Sequence, residues 1–142
     1  MTVKEYLRQA YHLDQRISAV MEETQNLRAM AGNVSAVRYD TDHVQTSPSA
    51  DASFVRALEK LWDLEEKAAE ELNLLSDLKR QVREVIESAP NTDERLVLQY
   101  RYIHNLTWEQ IGTKLHADRT TVYRWHGNAL NHVKLPEEPI VI

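Results

Sequence analysis

The stretch LTWEQIGTKLHADRTTVYRWHGNAL, residues 106–130, decides how the chain is read. Thr107 stands before an apolar run and Gln110 follows three residues on. That is capping-box spacing, in which each side chain bonds the other residue's backbone N–H. Trp108, Ile111 and Leu115 then recur at helical spacing and form one apolar face. A polar break, His116-Ala117-Asp118, comes next. Asp118 can cap a second helix whose inner side carries Val122, Trp125, Ala129 and Val133. Gly112 lies inside the first of these helices, where glycine costs helix propensity. It therefore predicts a close crossing, with the second helix approaching near Val122 or Trp125.

Working outward, Asn91 or Thr92 caps a preceding helix and Asp93-Glu94 suits its first turn. Leu96, Val97, Tyr100 and Ile103 give that helix an apolar face, and His104-Asn105 ends it. Two short helices on a tight turn, supported by a third, match a helix-turn-helix, whose second helix enters the major groove of DNA. The exposed side of that helix must hold hydrogen-bonding groups. Here it holds Arg119, Thr120, Thr121, Tyr123, Arg124 and Asn128. Arginine can address guanine edges, threonine a base or the thymine methyl, and asparagine adenine or phosphate. Arg119, Thr120, Tyr123 and Arg124 are the expected base contacts. Arg101, Thr107, Lys114, Thr121 and Asn128 are the expected backbone contacts. The competing reading is a trihelical packing unit with a polar surface.

The chain before residue 91 is patterned differently. Val3, Tyr6, Ala10, Leu13, Ile17, Val20, Thr24 and Leu27 alternate spacings of three and four, an apolar seam along one helix over residues 2–30, about 43 Å long. Residues 31–50 break the period. Gly32-Asn33 can stop a helix, and Pro48 sits in a Ser/Thr/Asp-rich setting that suits a linker. A second seam starts near Asp51 or Ser53 and runs through Phe54, Leu58, Leu61, Leu64, Ala68, Leu72, Leu75, Leu78, Val82 and Val85-Ile86 until Pro90. One helix of about 57 Å fits it. The two helices are expected to pack as an antiparallel, coiled-coil-like hairpin. Their unequal lengths leave seam exposed, which implies self-association.

Totals narrow the function classes. The 142 residues are 42% hydrophobic and 27% charged, with only three glycines and four prolines, a composition for long helices. There is no cysteine, hence no disulfide and no thiolate ligand or nucleophile. No apolar run approaches the length of a membrane span, so no membrane contact and a cytoplasmic location are expected. The net charge of −5 conceals a gradient. Residues 93–134 carry six basic and four acidic side chains, whereas residues 1–92 carry eleven against sixteen. No glycine-rich phosphate loop, metal-ligand spacing or nucleophile triad is present, so neither an enzyme nor a cofactor is expected.

Residues 107–130 resemble, without a gap, region 4 of the primary bacterial sigma factors, which reads the −35 promoter element. Gly112 falls on the family's glycine, Arg119 on the arginine opening the recognition helix, Val122 and Trp125 on buried positions, and Ala129-Leu130 on its closing pair. More narrowly, Arg101-Tyr102, Trp108, Ile111, Tyr123-Arg124, His126 and Ala129-Leu130 are similar to the signature of small transcriptional regulators of phages and prophages. These join a helical N-terminal half to a sigma region 4-like C-terminus, and YDTDHVQTSPSAD, residues 39–51, resembles their linker. The resemblance implies base contact by Arg119 and its neighbour. That neighbour is Thr120 where sigma factors carry an acid, and Tyr123 replaces a further arginine, so the implied site differs from an ordinary −35 element. The expectation is an all-α protein with a helical hairpin for oligomerisation in residues 1–90, a sigma region 4-like helix-turn-helix in residues 91–134 and a tail in residues 135–142. The implied function is a regulator of late phage transcription that binds double-stranded DNA and works with host RNA polymerase in a bacterial cell. A small terminase subunit and a polymerase-binding module that does not read DNA are the alternatives.

Overall fold

The computed structural model describes residues 1–41 and 48–142, and all of their regular structure is helical. The elements are α1 (Val3–Arg8), α2 (Leu13–Thr41), α3 (Pro48–Glu87), α4 (Thr92–Leu98) with a π-helical extension (Gln99–Ile103), α5 (Trp108–Leu115) and α6 (Arg119–His132). They form two compact units: residues 1–15 with 75–142, and residues 16–74.

The long helices α2 and α3 form a closely packed antiparallel pair. In the unit of residues 16–74, Arg28 is ion-paired with Glu65. In the other unit, Lys79 meets Asp14 at 2.6 Å. Each unit thus contains a charged pair that joins a residue of α2 to one of α3. The seam is the expected one. Tyr6, Ala10, Leu13, Val20, Thr24 and Leu27 are buried from the first repeat, and Ala68, Leu75, Leu78, Val82, Val85 and Ile86 from the second. Thr24 is tolerated there because its hydroxyl donates to the Val20 carbonyl at 2.9 Å, so this hydroxyl is not buried unpaired. Leu64 departs from the pattern and is 47% exposed.

Three boundaries differ from the sequence reading. The expected single helix over residues 2–30 is broken after Arg8. Residues 9–12 turn through bonds such as Leu13 N–H to Ala10 O, and His12 adopts a left-handed φ of 51°. No glycine or proline marks the break. Its compensation is tertiary: Tyr6 and Leu7 of α1 become fully buried, and the Tyr6 hydroxyl donates to Gln81 Oε1 at 2.8 Å. Helix α2 also runs through Gly32-Asn33 to Thr41, since one exposed glycine in a long helix costs only about 1 kcal/mol. Helix α3 begins at Pro48, a residue suited to the first helical position because no N–H is needed there. The linker expected over residues 31–50 is therefore helical at both ends, and residues 42–47, six of the thirteen in the phage-like linker stretch, lie outside the described residues.

The tail expected at residues 135–142 is tied down by two glutamines. Gln81 accepts from the Ile140 N–H at 2.9 Å and donates to the Glu138 carbonyl at 3.0 Å. Gln9 donates to the Ile140 carbonyl at 2.9 Å and accepts from the Ile142 N–H at 2.9 Å. Each glutamine amide thus holds one backbone donor and one backbone acceptor of the tail.

Helices α4 to α6 pack as a trihelical unit. Asn91 caps α4, accepting from the Asp93 and Glu94 N–H groups at 2.8 and 3.2 Å. Thr107 and Gln110 form the full capping box of α5. Asp118 Oδ1 accepts from the Thr121 N–H at 2.7 Å and starts α6. Val97, Ile111 and Val122 make the fully buried centre, with Tyr100, Leu106, Trp108, Leu115, Ala117 and Trp125 packed around it. Burying a large apolar side chain of this kind contributes about 1.5–3 kcal/mol. The close approach at Gly112 exists, but its partner differs from the expected one. A Cβ there would lie 2.7 Å from the Ala117 carbonyl oxygen and 3.9 Å from a Val122 methyl, so the turn backbone, not the second helix, demands glycine.

Candidate functional site

The residues singled out in the sequence fall into two groups. Arg119, Thr120, Tyr123, Arg124 and Asn128 are exposed on α6, while Val122, His126 and Ala129 of the same helix face inward. Helical spacing puts Arg119, Thr120, Tyr123 and Arg124 on one side over the first two turns. Arg119 has an acidic neighbour, Glu109, at 3.9 Å, but both side chains are largely solvated, so the pair holds it weakly. Lys114 is exposed in the last turn of α5. Thr107 and Thr121 are partly engaged as helix-start residues: the Thr107 hydroxyl accepts from Gln110 N–H, and the Thr121 N–H is held by Asp118.

Arg101 is placed differently. Its Nη1 donates to the Leu106 carbonyl at 3.0 Å, and its guanidinium lies 4.2 Å from the centre of the Trp108 ring. The side chain thereby braces the turn between α4 and α5 and lies in a cleft that the exposed α6 group enters only through Tyr123. This cleft, about 490 Å³, is lined by Lys4, Arg8, Tyr11, Arg101, Tyr102, Asn105, Trp108, Tyr123 and His126. Five residues of the sequence signature, Arg101, Tyr102, Trp108, Tyr123 and His126, thus converge on one concavity.

The π-helical turn explains part of this convergence. The extra residue is accommodated by the His104 N–H bonding the Gln99 carbonyl, which turns Tyr102 inward. Its hydroxyl meets His126 Nε2 at 2.7 Å. Trp108 stands edge-on to the His126 ring at 4.7 Å between centres and to Tyr123 at 5.3 Å. Burial, then the charges of Lys4, Arg101 and Arg8, pushes the His126 imidazole down to about 4, so it is neutral near pH 7. Burial likewise raises the Tyr102 phenol. The floor of the cleft is therefore an uncharged tyrosine–histidine pair and its rim is cationic. At the rim two left-handed residues meet: the His12 N–H donates to Asn105 Oδ1 at 3.4 Å, with φ values of 51° and 57°.

The sequence places Trp108 on the apolar face of α5 and marks His126 only as a signature residue. Sequence reasoning missed Lys4, Arg8, Tyr11 and Asn105 as members of a site. Nothing local marks them, because Lys4, Arg8 and Tyr11 reach the cleft from far away along the chain.

Fold and site together define an all-α protein in which a long antiparallel helix pair accompanies a trihelical unit bearing a polar helix face and a cationic aromatic cleft. The family model described as Protein of unknown function (DUF722) matches residues 12–134, and the chain belongs to that family. The matched range begins after α1, the helix that carries Lys4 and Arg8. No curated protein and no solved structure matches the chain. No helix among the described residues is long and apolar enough to cross a membrane.

Proposed function

We propose that the protein is a sequence-specific double-stranded-DNA-binding regulator of phage or prophage transcription, in which α5 and α6 act as a sigma region 4-like helix-turn-helix. The observation that carries the reading is the two-sidedness of α6. Its inner side is anchored by Val122, His126 and Ala129, and its outer side presents Arg119, Thr120, Tyr123 and Arg124 to solvent near the capped N-terminus. A recognition helix meets base edges with this part. The gap-free resemblance over residues 107–130 supports the same reading and adds host RNA polymerase as partner. Self-association is assigned to the long helices, which carry exposed Met21, Met30, Val55, Trp62 and Leu64.

The test begins with selection of bound sites from random and phage DNA. Each variant is then titrated with salt on the selected duplex and on a scrambled one. Arg119→Ala is expected to lose preference for the selected site, by about 1–3 kcal/mol for a bidentate guanine contact, more than general affinity. Lys114→Ala is expected to weaken both duplexes alike and to reduce the salt slope by about one. Equal weakening of both duplexes by Arg119→Ala assigns that residue to the backbone. DNA binding unchanged in every variant refutes the reading and leaves a protein partner for α6.

A further inference from the structure

We propose that the cleft between α1, the π-helical turn, α5 and α6 binds a nucleotide unit, its phosphate on Lys4 and Arg8 and its base against the aromatic wall. The inference does not rest on duplex reading by α6.

Three cations share one cleft of about 490 Å³ whose lining includes no carboxylate. Among the described residues Lys4 and Arg8 have no ion-pair partner, and no carboxylate lines their cleft. An anion seated between them supplies that missing charge. Arg101 adds a third positive group whose direction is already fixed by the Leu106 carbonyl and the Trp108 ring. A guanidinium held in this way loses little freedom on binding.

The second half of the ligand follows from the walls. Tyr11 is 66% exposed and Tyr123 57% exposed; both line the cleft, and Tyr123 stands edge-on to Trp108. Large exposed rings facing one concavity offer stacking surfaces to a planar group, and every nucleobase presents one. The volume falls within the range of about 300–1,000 Å³ usual for small-molecule sites. The neutral Tyr102–His126 pair below can exchange hydrogen bonds with a sugar or base edge without adding charge. Inorganic phosphate would use the cations alone, and an uncharged aromatic would use the walls alone. A nucleotide uses both.

The same chemistry is carried by a free mononucleotide and by a unit of a single strand, and calorimetry of the full chain separates them. The probes are adenosine monophosphate, adenosine, inorganic phosphate and a short single-stranded oligonucleotide. The monophosphate or the oligonucleotide is expected to bind saturably, with adenosine and phosphate each weaker by about ten-fold or more. Tight binding of the monophosphate identifies a free ligand. Binding of the oligonucleotide alone identifies a strand. Lys4→Gln with Arg8→Gln, and separately Tyr11→Ala, alter exposed side chains and are expected to weaken binding about ten-fold while leaving the melting curve in place. Arg119→Ala is expected to leave binding of the monophosphate or oligonucleotide intact, so failure of duplex readout and failure of this site are distinguishable. Absence of saturable binding to either nucleotide probe overturns the proposal, as does undiminished binding by the Lys4, Arg8 and Tyr11 variants.

Discussion

Two glycines in neighbouring helices give opposite answers to the same substitution. Gly112 lies in α5 and Gly127 in α6, and neither has a positive φ. Alanine in place of glycine inside a helix gains about 1 kcal/mol from backbone entropy. At Gly127 a Cβ would meet nothing within 4 Å, so Gly127→Ala is expected to stabilise by about that amount. At Gly112 the Cβ would lie 2.7 Å from the Ala117 carbonyl oxygen, too close for any real contact. That oxygen belongs to the backbone of a turn fixed by the left-handed His116 and by the Ala117 N–H bonding the Gly112 carbonyl at 3.0 Å. Relief requires the turn to move, and with it Asp118, which starts α6. Overpacking of this kind costs about 1–3 kcal/mol, offsetting or exceeding the propensity gain. Gly112→Ala is thus expected to be neutral to about 2 kcal/mol destabilising, and to lie about 1–3 kcal/mol below Gly127→Ala. Denaturant unfolding followed by circular dichroism measures both. In a domain of 60–100 residues each kcal/mol moves the thermal midpoint by roughly 4–8 °C. If Gly112→Ala stabilises as much as Gly127→Ala, the close approach is absent and the packing argument fails.

Three further outcomes are expected. His126 has its imidazole lowered from 6.5 to about 4, so its contribution is fully present above 6.5 and is lost as pH falls towards 4; the ceiling is about 3 kcal/mol, reduced by water in the open cleft. His126→Gln should flatten that part of the stability–pH curve, and parallel curves for the two proteins would contradict a neutral buried histidine. The Thr121 N–H, then its hydroxyl, holds the Asp118 carboxyl below its ordinary 3.8, so Asp118→Ala should lower the melting temperature at neutral pH, with the difference vanishing once acid protonates the native carboxylate. Leu13 is 3% exposed, and Leu13→Asp should unfold its surroundings by burying an unpaired charge; an unchanged melting curve would place the residue outside the core.

The apolar three–four repeats already determined the helical class and the buried stripe, because periodic burial is a property of the chain's own geometry. The starts of α4, α5 and α6 were legible for the same reason: Asn91, the Thr107–Gln110 pair and Asp118 act on N–H groups two or three residues away. The outward face of α6 followed from its inward one. Only the tertiary structure decided where the first seam breaks, since His12 accepts a left-handed backbone in return for contacts made by Tyr6 with α3. Only it showed that Gly112 answers to a carbonyl in the turn and that Arg101 braces a loop before it faces any ligand. The cleft lay beyond the sequence altogether. Lys4, Arg8 and Tyr11 have no local pattern linking them to Trp108 and His126, and charges far apart in a chain become one electrostatic site only when folding removes the distance between them.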